Sequence, residues 1–128
     1  MRTIRTESAP LPAGHYSQAV VHGGLVYVAG LLPIEAGTDR RIYGEIEEEA
    51  AQVFRNLDSI LAAAGSSRDR VLRCTVYIAD LELWGRFNAA YAEYFGGHKP
   101  ARTVVPVSGL HYGFKVELDA IAAAEWGR

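Results

Sequence analysis

The sequence predicts an α/β (α+β) fold: a single domain over residues 1–128, with one mixed β-sheet and two helices on one of its faces. Three observations carry this expectation. Two amphipathic helical segments each lie between β-rich runs, so each helix can join strands of one sheet. The consecutive β-rich runs near the start are joined by Gly23-Gly24, a two-residue hairpin signal. The later runs alternate, with small and apolar residues on one side and mixed ones on the other.

Gln18 to His22 and Leu25 to Ala29 are the two arms of that hairpin. Pro33 to Tyr43 carries Gly37, Thr38 and Asp39 and reads as a surface loop, with room for a short strand near Ile42. Ile46, Ala50, Val53, Phe54, Leu57, Ile60, Leu61 and Ala64 recur at three- and four-residue intervals, which is the apolar stripe of a helix. Glu45, Glu47, Glu48 and Glu49 load its first turn, where carboxylates favour the helix dipole, and Gly65 is a natural stop. Val71 to Ala79 reads as a strand in which Leu72, Cys74, Val76 and Ile78 oppose Arg73, Thr75, Tyr77 and Ala79. Asp80 is placed to cap a second helix that has Trp84, Phe87, Tyr91, Tyr94 and Phe95 on its apolar side and ends at Gly96-Gly97.

Ala101 to Val107 is a further strand, with Pro106 marking an edge or bulge. Phe114 to Ala123 is the last. There Val116, Leu118, Ala120 and Ala122 point one way, and Lys115, Glu117, Asp119 and Ile121 the other. Right-handed crossovers put both helices on one face when the sheet grows in a consistent sense. The second face, neither fully polar nor fully apolar, then has no helix to cover it and suits a partly polar subunit interface.

Composition narrows the function. A formal net charge of −2 and the lack of a basic stripe disfavour nucleic acid as the main partner. A single cysteine, Cys74, precludes an intrachain disulfide and fits a reducing, cytoplasmic setting. Met1 to Pro10 shows no secretory apolar region, and no run approaches the ~18–20 residues of a membrane span. His15, His22, His98 and His111 have no metal-ligand spacing, so no metal site is expected. Cys74 reads as a buried small hydrophobe, and Arg68, Arg70 and Arg73 as a solvated helix–strand junction.

Five segments in order resemble the Rid (reactive intermediate deaminase, YjgF-type) family, also described as endoribonuclease L-PSP. They are Ala9-Pro10 with Gly14-His15-Tyr16-Ser17-Gln18-Ala19; Val26-Tyr27-Val28-Ala29-Gly30 with Pro33; Val71 to Leu81; Phe87-Asn88-Ala89-Ala90-Tyr91 with Tyr94-Phe95; and Pro100-Ala101-Arg102-Thr103 followed by Lys115 to Ala122. The resemblance implies a chorismate-mutase-like fold, a homotrimer whose sheets form a central barrel, and clefts between neighbouring subunits. It implies cofactor-independent hydrolysis of enamine or imine intermediates, from 2-aminoacrylate to larger imino acids, to a 2-keto acid and ammonia. The family also keeps open a non-catalytic metabolite-binding or chaperone-like trimer, and an endoribonuclease.

The resemblance assigns roles to residues that position alone would leave ordinary. Arg102 becomes the anchor for the substrate carboxylate, which a guanidinium fork holds through two parallel hydrogen bonds. Glu117 becomes the group that orients or deprotonates the attacking water, with Asp119 as the fallback on the same face. Tyr16 and Asn88 are expected to line the cleft, and Gly30 to bring backbone close to the ligand. The sequence departs from the family pattern at His15, Ala29, Leu31, Val104 and His111. Ala29, Leu31 and Val104 remove polar groups from the expected pocket, which predicts a preference for larger apolar substrates.

Overall fold

The computed structural model describes residues 1–124. In chain order the elements are β1 (Arg2–Ile4), β2 (Ala19–His22), β3 (Leu25–Leu31), α1 (Ile46–Ala63), β4 (Val71–Ile78), α2 (Trp84–Phe95), β5 (Ala101–Pro106) and β6 (Val116–Ala123). The six strands form one sheet in the order β1-β2-β3-β6-β4-β5. β4 and β5 are parallel, and every other neighbouring pair is antiparallel. β3 and β4 both run antiparallel to β6, so they are parallel to each other. α1 and α2 therefore each connect strands of the same direction.

The β2–β3 hairpin closes through Gly23 and Gly24, both at positive φ (60° and 79°), as a two-residue turn of matching twist requires. Every residue of the α1 stripe from Ile46 to Ala64 is buried. The helix opens with Glu48 Oε1 accepting the Glu45 N–H at 3.0 Å, and it closes with the Ser66 N–H returning to the Leu61 carbonyl at 2.8 Å. α2 packs beside α1 through an aromatic seam: Phe54 stacks on Tyr94 at 4.2 Å and meets Phe87 and Tyr91 at 6.1 and 6.3 Å. Both helices thus cover one face, and the core lies between them and Val116, Leu118, Ala120 and Ala122 of β6.

No element among the described residues covers the other face. Tyr27, Arg73 and Thr103 are exposed on it, and Thr75, Tyr77, Glu117, Asp119 and Ile121 are half-buried.

The structure departs from the sequence-based expectations at particular residues. β1 adds a strand at the sheet's far edge, paired antiparallel to β2, where no strand was expected. Leu72 does not share a face with Cys74: the β4–β6 register shifts between Val71 and Arg73, and this bulge turns Val71 inward and leaves Leu72 exposed. Asp80 caps the short 3₁₀ turn Leu81–Leu83 that leads into α2, accepting the Glu82 N–H at 2.9 Å. Near Ile42 there is only an isolated bridge between Ile34 and Arg41. Glu49 does not stay on the solvated first turn of α1. It is fully buried and accepts the Lys115 backbone N–H at 2.8 Å and the Lys115 Nζ at 3.3 Å.

Candidate active site

One half of the site is built around Glu117. β3 carries one residue more than β6 between Val28 and Leu31, and this bulge brings Gly30 against the Glu117 side chain. A Cβ on residue 30 would lie 2.2 Å from Glu117 Oε2, so the glycine is what admits the carboxylate. Burial holds the Glu117 carboxyl above the ordinary carboxylate range. His111 pulls it down in part, and Asp119 adds to the rise. Asp119 itself is engaged by the Tyr77 hydroxyl, which donates to Oδ2 at 3.0 Å.

Glu117 and Gly30 open into a cavity of about 1060 Å³, also lined by Tyr16, Ala29, Leu31, Arg41, His111 and Tyr112. One wall is the segment from Glu7 to Gly14. The buried side chain of Gln18 pins that segment: its amide donates to the Thr6 and Pro10 carbonyls at 3.0 and 2.8 Å, and its Oε1 accepts the Thr6 N–H at 2.7 Å. Tyr16, 54% exposed, stands at the end of this wall.

The other half lies on β5 and α2. Arg102 donates from Nη1 to Asn88 Oδ1 at 2.8 Å, and its guanidinium lies 4.6 Å from the Trp84 ring and 4.8 Å from the Tyr91 ring. These contacts hold the fork in place, and no carboxylate is within ion-pair distance of it among the described residues. β5 is an edge strand, so Arg102 is at the rim of the sheet.

The two halves do not meet within one chain. Arg102 is the register partner of Cys74, which is buried on the helix side, whereas Glu117 is the partner of Tyr77 on the bare face. They are two strands apart, roughly 10 Å at ordinary strand spacing, and on opposite faces. Tyr16, Ala29, Gly30, Leu31 and Glu117 are brought together, and so are Asn88 and Arg102. Val104 lies on the Arg102 side, half-buried against the core, and Leu31, 6% exposed, is mostly a core residue. Ala29 and Leu31 line the Glu117 cavity and Val104 lies on the Arg102 side, so the three do not form one pocket within the chain.

Cys74 is fully buried, and burial pushes its thiol up to about 11, which suits packing and not nucleophilic attack. The three arginines of the basic cluster are all engaged. Arg68 binds Asp58 and lies over Tyr94, Arg70 donates to the Ala123 and Ala124 carbonyls, and Arg73 donates to the Thr103 hydroxyl.

Sequence reasoning missed Gln18 as a builder of the cavity wall, Glu49 as the clasp on β6, and Arg41 in the lining. Only Glu49 left a local signal, since it falls on the inward side of the α1 periodicity, between Ile46 and Val53.

Residues 6–124 match the family described as endoribonuclease L-PSP. A RutC family protein of Pyrococcus horikoshii is 43% identical over 122 residues, 95% of this chain and 97% of its own. The crystal structure of a Rid family protein from Yersinia pestis superposes with a TM-score of 0.93 at 36% identity, covering 96% of this chain and 98% of that one. Escherichia coli TdcF, crystallised with bound serine, superposes with a TM-score of 0.92 at 30% identity, covering 98% of this chain and all of its own. With the two site halves lying on the segments that carry the family pattern, the chain belongs to the Rid family, the YjgF-type group that the endoribonuclease L-PSP description covers.

Proposed function

We propose that this protein is a cofactor-independent hydrolase of 2-imino and 2-enamino acids, acting as a homotrimer in which Arg102 of one copy completes the Glu117 cavity of the next. The observation that carries this is the Glu117 carboxyl, partly withdrawn from water against Gly30 at the edge of an open cavity. A carboxyl whose pKa is raised by burial holds a proton more readily than a solvated one and can both accept and return it. The bare sheet face and the free edge at β5 supply surface for neighbouring copies, and a composite site brings together side chains that one chain holds apart.

The chemistry balances without a cofactor. Arg102 pairs with the substrate carboxylate. An enamine first takes a proton at C3 and becomes the imine. Glu117 accepts a proton from water as its oxygen bonds to the imine carbon. Glu117 returns that proton to nitrogen, giving a carbinolamine. The hydroxyl proton then follows to nitrogen through the same carboxylate. The C=O bond forms as the C–N bond breaks, and ammonia leaves behind a 2-keto acid. Tyr16 and Asn88 supply hydrogen bonds at the rim, and the Gly30 backbone lies beside the reacting carbon. No helix among the described residues is long and apolar enough to cross a membrane. In this reading the protein works in the cytoplasm, beside the pyridoxal-phosphate enzymes that release such imines.

The test couples the protein to a pyridoxal-phosphate serine or threonine dehydratase and follows 2-keto acid formation. Formation faster than spontaneous hydrolysis is expected, and an unchanged rate would overturn the reading. The bound serine of TdcF gives specific weight to a second reading, a trimer that binds small amino-acid-like molecules without turning them over. An unchanged rate together with calorimetric binding of a 2-keto acid would select it.

A further inference from the structure

Arg40 and Arg41 are adjacent, and the chain uses them differently. Arg40 reaches outward to Glu35, with Nη2 3.5 Å from Oε2. Arg41, bridged to Ile34 across the loop, lines the same cavity as Glu117. Its guanidinium carbon lies 3.7 Å from the centre of the Tyr112 ring. That is a close stack, and it restricts the long side chain while leaving its N–H donors free.

The platform under it is built at a cost. Tyr112 has φ of 61°, a left-handed conformation unfavourable for a bulky residue. It is held there by the Tyr43 hydroxyl, which donates to the Tyr112 carbonyl at 2.8 Å, and by Phe114, whose ring meets its own edge-on at 6.0 Å and stacks on Tyr43 at 5.1 Å. Glu7 and Asp39 share the cavity lining, yet no carboxylate is within ion-pair distance of Arg41 among the described residues. The cavity thus contains a positioned, unpaired guanidinium besides the carboxylate of Glu117. Arg102 cannot be the same group, because within the chain it faces the other side of the sheet.

We infer that Arg41 binds a second carboxylate on the substrate, so that this protein prefers 2-imino dicarboxylic acids over imino acids with neutral side chains. The inference rests on the imine-hydrolase reading for turnover but not for binding. Arg102 holds the carboxylate next to the imine carbon, and Arg41 takes the one at the end of the side chain. A fixed guanidinium suits this task because a planar fork matches a carboxylate bidentately. A neutral side chain would leave the fork unpaired.

Two measurements test it on the full chain. The first compares kcat/KM for imines generated in situ by amino-acid oxidases from glutamate or aspartate and from alanine or leucine. The second compares calorimetric binding of 2-oxoglutarate and 2-oxobutyrate. The diacid is expected to be favoured about tenfold or more, the size of one charge-assisted hydrogen bond. R41A and R41Q should bring the two classes to near parity, with the loss falling mainly on the diacids. R41K should keep part of the preference. Tyr112→Gly, which suits the backbone and removes the ring, should lower it with Arg41 still present. Equal handling of both classes by the wild type would overturn the inference. So would an equal loss for both in R41A, which would make Arg41 the anchor for the first carboxylate. A binding preference for the diacid with no turnover of any imine would leave the Arg41 assignment standing and remove the hydrolase reading instead.

Discussion

The Glu117 end of the molecule and the Arg102 end are built in opposite ways. At the first, one chain supplies everything: a bulge in β3, a glycine that makes room, a wall pinned by Gln18, and a carboxyl raised by burial. At the second, the chain supplies an exposed guanidinium held between Trp84, Tyr91 and Asn88 on an edge strand. The first end has the features of a reaction centre and the second those of a binding arm offered outward. In the proposed reading, a general base and a carboxylate anchor on opposite faces of one sheet unite only across a boundary between copies.

The sharpest way to break this comparison is complementation. Glu117→Gln alone should lower kcat about 10²–10⁴-fold, the usual range for losing a positioned acid–base group, with the assembled mass unchanged. Arg102→Ala alone should lower kcat/KM about tenfold to a hundredfold, and Lys should restore only part, because it gives a point charge and no fork. Mixing the two variants under exchanging conditions should then recover activity at about one site in four, by random assembly of a cyclic trimer. If the mixture is as inactive as its components, both groups serve the same chain's site and the comparison fails. Sedimentation of the same samples should give three times the 14.0 kDa of one chain.

The smallest expected effect is on the pH profile, and it probes the Glu117 end alone. A base must be ionised to act, so kcat/KM should climb as pH rises through the Glu117 pKa, which burial holds above the ordinary carboxylate range. Asp119→Asn removes a neighbouring negative charge and should move this limb to lower pH. His111→Ala removes the group that opposes the rise and should move it to higher pH. A limb that ignores both substitutions belongs to another group.

Much of this was legible in the sequence, and the residues show why. The hairpin, both helices, β4 to β6 and the two faces of β6 follow from local periodicity and turn chemistry, which act over a few residues. The placement of β6 between β3 and β4 does not, because pairing across some ninety residues leaves no periodic trace. β1 is three residues long and too short to show alternation. The bulge at Leu72 breaks a period that looked regular. At the site, Tyr16, Gly30 and Glu117 were nameable by their matching segments. That Gly30 exists to admit Glu117, or that Arg41 stands in the same cavity, depends on contacts between strands and loops far apart in sequence. The facing of Leu31 and Val104 was hidden for the same reason, since a side chain's face at a bulge or an edge is set by its neighbours in space.

The central position of β6 also constrains how the molecule comes into being. Of the six described strands, the one that joins the β1-β2-β3 half to the β4-β5 half leaves the ribosome after the other five. Until it emerges, β3 and β4 each present an unpaired edge, and the two halves share no backbone hydrogen bonds in the sheet. During synthesis the nascent chain is thus two incomplete pieces awaiting a common insert, exposed to promiscuous strand addition for as long as translation of the final segment takes. A ribosome that stalls before Val116 leaves a product with α1, α2 and β1 to β5, yet with no means of closing the sheet.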